Sequence, residues 1–385
     1  ILVKRSHEVE NNQYTRVGAA IDPAIEHIVV RAADSERVRS DTASVIERAD
    51  GSLLVAYHSY SHGPEGGGDF GAAKIYLAES EDGGRHWSNE HMVADIVAGD
   101  LNVMSPFLCQ MGDEILLGYV RNHSRGDTSM HLHRSGDGGK SFGDSEPIWE
   151  HAGEYRIQGG ASSLVRLSSG RLVLPMQSCD EVWVAAESQS VGSYFSDDGG
   201  HIWKPSANRV CLPMRGAMEA SIAQRAGGSL LMSIRTQLGA VFLSESGDGG
   251  QSWSRARTSG LRSPESCTCM RRLPDSDDLI LFWNDAEYIH DHHHLGIRSP
   301  LSAAISRDGG QSWSKIGDID GGDHMLTNLG CTFLSSGAAV ITYLKTPDLE
   351  IENGVYRGTR SIEAERTHFE MELVAALIPR AWFMR

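Results

Sequence analysis

The sequence predicts an all-β fold, a six-bladed β-propeller, from three observations: a short box repeated five times, an apolar hairpin repeated six times, and few helical patterns. The box reads S-x-D-G-G-x-x-aromatic. It occurs as SEDGGRHW from residue 80, SGDGGKSF from 135, SDDGGHIW from 196, SGDGGQSW from 246 and SRDGGQSW from 306. Intervals of 55, 61, 50 and 60 residues indicate an array of β-sheet units rather than separate domains. Each box makes physical sense as a hairpin turn. The carboxylates of Asp82, Asp137, Asp198, Asp248 and Asp308 can accept backbone N–H bonds, and the glycine pair permits positive φ. The closing ring (Trp87, Phe142, Trp203, Trp253 or Trp313) then packs into the sheet.

The hairpins come next: TASVIERADGSLLVAYH, MSPFLCQMGDEILLGYVR, ASSLVRLSSGRLVLPMQ, EASIAQRAGGSLLMSIR, CTCMRRLPDSDDLILFWND and GCTFLSSGAAVITYLK. Each is two apolar strands around a turn at Gly51, Gly112, Gly170, Gly228, the Asp275–Asp278 cluster or Gly337, which reads as the inner hairpin of a blade. Six hairpins imply six blades in a single domain over 1–385. The last hairpin lacks a box, and the N-terminal strand HIVVRA is expected to complete its blade and join the chain ends. The apolar tail MELVAALIPRAWFMR (371–385) is suited either to core packing on the propeller or to another subunit, so self-association stays open.

Composition bounds the function. A chain of 385 residues with 40% hydrophobic and 22% charged residues can bury a core. Its net charge of -16 argues against a broad nucleic-acid or anionic-membrane surface, although a local basic pocket is compatible with it. No apolar run approaches the roughly 20 residues of a membrane span. The start, ILVKRSHEVENN, lacks the basic-then-apolar order of a signal peptide, so a cytoplasmic protein is expected, with secretion open because the start reads as trimmed. The six cysteines favour buried free thiols over a disulfide framework, and no spacing implies a metal or another cofactor.

If the glycine turns mark one end of each inner hairpin, the other end surrounds the central channel. That row reads Asp41 with His58, Asn102 with Arg121 and Asn122, Gln158 with Gln177, Glu219 with Arg235, Glu265 with Asn284 and Asp285, and Asn328 with Lys345. Six apolar hairpins that all end in polar groups indicate a wet, functional mouth. The Gly-rich stretch 58–71 carries His58, His62, Glu65 and Asp69, a composition suited to a mobile acid/base lid. His290–His294 form a further cluster able to bind a metal or sugar hydroxyls.

Regular boxes on six blades resemble the Asp-box, or BNR-repeat, sialidase-like superfamily over roughly residues 25–375. The boxes carry the fold and say little about chemistry. In sialidases three arginines hold the substrate carboxylate, a tyrosine activated by a glutamate attacks, and an aspartate on a first-blade loop protonates the leaving group. The resemblance implies that Glu219 and Arg235 correspond to the glutamate and the second arginine, Arg298 to the third arginine, and Asp69 to the acid. Two departures stand out. Asp41-Thr42-Ala43 replaces the first arginine motif, with Arg37 or Arg39 just upstream, and Asn328 stands where the tyrosine is expected, an amide that cannot act as that nucleophile. Tyr343 and Tyr119 stand where they could reach the channel, but strand tyrosines are more often half-buried packing residues.

The expectation is therefore a sialidase-like glycoside hydrolase acting on an acidic sugar or glycan, the carboxylate meeting Arg121, Arg235 and Arg298. Catalysis falls to Asp69, Glu219, His58 and His62; Asn102, Gln177, Asn284, Asp285, Asn328 and Asp41 contribute polar contacts. A lyase acting on uronate-containing glycans through His58 or His62 with Arg121, and a non-catalytic glycan-binding propeller, are the alternatives.

Overall fold

The computed structural model describes residues 21–385 apart from 64–66, 162, 291–292, 323, 347–350, 353–354 and 357–370. Six antiparallel sheets of four or more strands follow one another along the chain, each running from the channel outwards, and Ile351–Glu352 pairs with Val355–Tyr356 as a separate two-stranded sheet. Blade 1 consists of Arg37–Glu47, Leu53–Ser61, Ala73–Ser80 and Ser88–Ala94, and blade 2 of Asn102–Met111, Glu114–Ser124, Asp127–Ser135 and Glu146–Trp149. In blade 3 the inner strand is broken into Tyr155–Gln158 and Val165–Arg166, both paired with Leu172–Cys179, and the outer edge into Lys204–Pro205 and Val210–Cys211, both on Ser190–Ser196. Blade 4 is Met218–Gln224, Leu230–Arg235, Ala240–Ser246 and Arg257–Arg262, and blade 5 is Cys269–Arg272, Leu279–Asn284, Leu301–Ser306 and Ser314–Asp320.

Blade 6 joins the chain ends. Leu326–Phe333 and Ala339–Lys345 form its inner hairpin, Glu372–Ile378 its third strand, and the N-terminal Glu26–Arg31 its outer edge, with Val29 opposite Val374. The apolar tail is thus internal: after the third strand, a 3-10 turn at Arg380–Met384 buries Trp382 and Phe383 among Phe282, Ile305 and Ile319 of blade 5. The six cysteines are free, five buried and Cys211 exposed. No helix among the described residues is long and apolar enough to cross a membrane.

The boxes act as expected, with one addition. In the second box the Asp137 carboxylate accepts the N–H groups of Lys140 and Ser141, both at 3.0 Å, while Ser135 Oγ accepts that of Gly139 at 2.9 Å. The addition concerns the second glycine. A Cβ on Gly139 would lie 2.7 Å from Leu54 of blade 1, and one on Gly310 would lie 2.3 Å from Leu231 of blade 4. Each box therefore presses its backbone against the preceding blade, so the repeat staples blades together. The seam between blades 5 and 6 has no box and is covered by Trp382 and Phe383 instead.

Candidate active site in the central cavity

The inner strands of four blades share a fault that shapes the cavity. Between Asp41 and Ser44, Met104 and Phe107, Met218 and Ser221, and Thr327 and Gly330, the inner strand advances three residues while its partner advances two. These are β-bulges, each holding a non-glycine residue at positive φ: Thr42 (48°), Ser105 (53°), Glu219 (36°) and Asn328 (58°). Such backbones cost about 1–3 kcal/mol each and persist where the surroundings over-determine them. All four residues line a cavity of about 430 Å³ at the hub. The bulge re-aims a side chain that regular pleating would have sent into the sheet.

One wall is built around Arg39. Its guanidinium bonds Asp41 through Nε (2.9 Å), Asp69 Oδ1 (2.9 Å) and the Gly67 carbonyl (2.8 Å), and lies 4.7 Å over the Tyr60 ring. Arg39 is thus fully engaged in holding the 67–71 loop. Asp41 is completely buried; burial works to raise its carboxyl, but Arg39, together with His58 and the Asn328 amide, outweighs it and holds the carboxyl below the usual range. His58 belongs to the strand Leu53–Ser61 rather than to a loop. Its Nδ1 accepts the Ser105 N–H (3.2 Å), Nε2 has no partner among the described residues, and burial pushes its pKa down to about 4, so the ring is neutral at neutral pH. Tyr60 and Tyr155 also face this space, their phenols pushed up by burial.

The floor is a second network. Arg235 bonds Glu219 Oε1 (2.8 Å) and Glu265 Oε1 (3.0 Å), so both ends of its fork are occupied. Glu265 also meets Arg215, Gln237 Nε2 (3.0 Å) and His294 Nδ1 (3.4 Å). Burial opposes its ionisation, yet Arg235 and these donors hold its carboxyl far below the usual range. Among the described residues Glu219 Oε2 has no partner, while its backbone N–H is taken by Gln177 Oε1. Arg298 is different. Its three bonds go to neutral oxygens, the Glu265 carbonyl (2.8 and 3.1 Å) and Thr327 Oγ1 (3.3 Å), and no described carboxylate pairs with it. Burial and then the nearby Arg235 charge push its pKa down to about 10.

Sequence reasoning and geometry part company at several positions. Asp69, Glu219, His58, Arg235, Arg298, Gln177 and Asn328 line the cavity, and buried Asp41 stands directly behind Asn328. Arg121 does not: it points off the channel to Asp100 (2.7 Å), because residues alternate faces along its strand. Asn102 packs beneath the 67–71 loop, donating to the carbonyls of Asp69 (2.9 Å) and Gly71 (2.8 Å). Asn284 ties Pro300 to Leu326 inside the core, and Asp285 pairs at the periphery with Arg262 and Lys315, both at 2.8 Å. His62 is exposed outside the lining. Glu65 lies outside the described residues, as do Asp291 and His292; His290 is exposed, whereas His294 reaches Glu265. Tyr343 is buried against Asp320 (2.7 Å) and Tyr119 bonds His133 (2.9 Å), so neither enters the cavity. The residues missed were Tyr60, Tyr155, Arg125, Trp183 and Arg215: Tyr60 and Tyr155 stand at the open ends of inner hairpins but were passed over for the polar residues nearby, whereas Arg125, Trp183 and Arg215 lie on the connections between strands.

The comparisons agree with this architecture. The model of the BNR repeat-like domain matches residues 51–358. No curated protein matches the chain. Among solved structures the chain is similar to a Hadza microbial sialidase (TM-score 0.68, 18% identity, 92% of this chain and 68% of that one). It is similar too to a Dyadobacter fermentans protein of unknown function (0.67, 18%, 93% and 100%) and to the intramolecular trans-sialidase of Ruminococcus gnavus (0.68, 13%, 95% and 99%). At these identities the likeness is one of fold.

Proposed function

The chain belongs to the BNR repeat-like domain family, and from that premise we propose that it is a sialidase-like glycoside hydrolase acting on an acidic sugar or glycan. One observation carries the reading: Arg298, a buried guanidinium on the cavity floor, has neutral oxygens for partners and a second arginine beside it. No described carboxylate pairs directly with that buried cation, and a substrate carboxylate would do so through strong charged hydrogen bonds. Asp69, on the rim with its second oxygen unbonded by described residues, serves as general acid. Glu219, with Oε2 bare, takes the proton of an attacking water, because Asn328 offers no nucleophile.

The test is a panel of fluorogenic sialosides and uronides. Turnover of at least one, with kcat/KM falling roughly ten- to a hundred-fold in Arg298→Gln, is expected if one charged hydrogen bond of about 1.5–3 kcal/mol is lost. Equal turnover of the carboxylate ester and the free acid would overturn the reading. The lyase alternative has its own support in His58, whose neutral ring accepts from Ser105 through Nδ1 and so leaves an Nε2–H donor with no partner among the described residues, set edge-on to Tyr60 at 5.0 Å. An unsaturated, ultraviolet-absorbing product from uronate polysaccharides, lost in His58→Gln, would favour it.

A further inference from the structure

On one side of the cavity three loops meet: 67–71 of blade 1, the hairpin tip at 124–127 of blade 2, and 180–189 of blade 3. Trp183 stands there at φ 64°, conspicuous for so large a side chain, and the residue is 40% exposed while still lining the cavity. It is held in place. The buried Glu187 accepts the Trp183 N–H (2.8 Å) and also pairs with Arg215 (2.7 Å), whose guanidinium lies 4.9 Å over one ring face. A strained, rigidly backed aromatic ring left half open to water is a poor use of apolar surface unless something stacks on it.

Arg125 adjoins it, its carbonyl accepting the Val182 N–H (3.0 Å). Its guanidinium lies 4.6 Å over Phe70 and pairs with no described carboxylate, Asp180 and Glu181 of the neighbouring loop included, and the residue is exposed and lines the cavity. Arg39, Arg215 and Arg235 are each spent on carboxylates, so among the described residues the cavity offers two guanidiniums not paired with a carboxylate, Arg298 on the floor and Arg125 on the rim.

We propose that Trp183 and Arg125 form a second subsite for the next residue of an anionic oligosaccharide, Trp183 stacking on its ring and Arg125 meeting its carboxylate or sulfate. This rests on the proposed floor site for the first acidic residue, and it narrows the substrate class to glycans with acidic groups on consecutive residues.

Calorimetric binding of two probe series separates the two claims. One is sialic acid, alpha-linked disialic acid and sialyllactose; the other is glucuronic acid and a glucuronate-terminated chondroitin disaccharide with and without sulfate. In at least one series the doubly acidic disaccharide should bind about tenfold or more tighter than the single sugar and tighter than the neutral-extended one. Trp183→Ala should remove the advantage of both disaccharides, with Trp183→Phe restoring most of it. Arg125→Gln should remove only the preference for the second acidic group. Neither variant should change the affinity of the single sugar, which also reports that the protein is folded. If single sugars bind and disaccharides gain nothing, the subsite is wrong while the floor reading stands. If no acidic sugar of either series binds, both fall.

Discussion

The side-chain amide of Asn328 donates to both carboxylate oxygens of Asp41, at 2.8 and 2.7 Å, across the seam between the last blade and the first. Those are the two positions where the sequence departs from the sialidase pattern: an acid in the first arginine motif, and an amide in place of the tyrosine. The departures are therefore one feature. An arginine at 41 would confront Arg39, and a residue at 328 without donors would leave the buried Asp41 carboxylate to Arg39 and Thr42 alone.

The pair makes an energetic prediction. Asp41→Ala leaves Arg39 and the Asn328 amide without their buried partner and should cost about 3–5 kcal/mol. Asn328→Gly keeps the left-handed backbone without strain and isolates the amide, for about 1–3 kcal/mol. Urea unfolding of both single variants and the double should give a coupling of about 0.5–3 kcal/mol. Strict additivity would mean the contact carries no energy.

The blades were legible because box and hairpin repeat as local patterns: Asp137 accepts the N–H groups of residues three and four positions ahead, within one turn. Closure by HIVVRA was legible from counting strands. The cavity was half legible. Glu219 and Asn328 carried a resemblance, but nothing in the composition of Asp41-Thr42-Ala43 or Met104-Ser105-Pro106 announces a bulge, which arises from how blades converge on the hub. Counting strand ends without the bulges placed Asn102 and Asn284 at the mouth, where they are structural, and alternation sent Arg121 to the far face. Trp183 and Arg125 sit on loops whose approach depends on neighbouring blades.

Arg235 and Arg298 should respond differently to the same change. Arg235 is committed to Glu219 and Glu265, so lysine, a single point of charge, cannot satisfy both. Arg235→Lys should lower the melting temperature by several degrees, on the order of 2 kcal/mol or more. Arg298→Lys should leave the melting temperature closer to wild type and weaken acidic ligands roughly ten- to a hundred-fold. The reverse pattern would return Arg235 to the substrate clamp and make Arg298 the brace.

His58 gives a pH signature. Its folded pKa of about 4 lies below the ordinary value of 6.5, so between those limits the unfolded chain binds a proton that the folded one refuses. Stability should be complete above about pH 6.5 and fall as the pH drops, by about 3 kcal/mol on approaching pH 4. Asp41, held below its usual range, adds loss in the same direction at lower pH. In His58→Gln, whose amide oxygen can still accept from Ser105, the slope between pH 6.5 and 4 should shrink. An unchanged slope in denaturation series across that range would mean that another group carries it.

The staple role of the boxes can be tested within one box. Gly138 and Gly139 have similar left-handed backbones, at φ 81° and 90°, so alanine at either meets a similar backbone strain, about 1–2 kcal/mol. Their surroundings differ. A Cβ on Gly138 meets nothing within 4 Å, whereas one on Gly139 would sit 2.7 Å from Leu54 Cδ2, on a residue fully buried in blade 1 and unable to swing aside. Gly139→Ala should therefore cost about 1–3 kcal/mol more than Gly138→Ala, the penalty of overpacking a closed seam. Shortening the neighbour in Leu54→Val should recover part of that difference in the Gly139→Ala background while destabilising wild type. Equal costs at the two glycines, measured by chemical denaturation, would mean that the box only shapes its own hairpin and that the seam between blades 1 and 2 is held elsewhere.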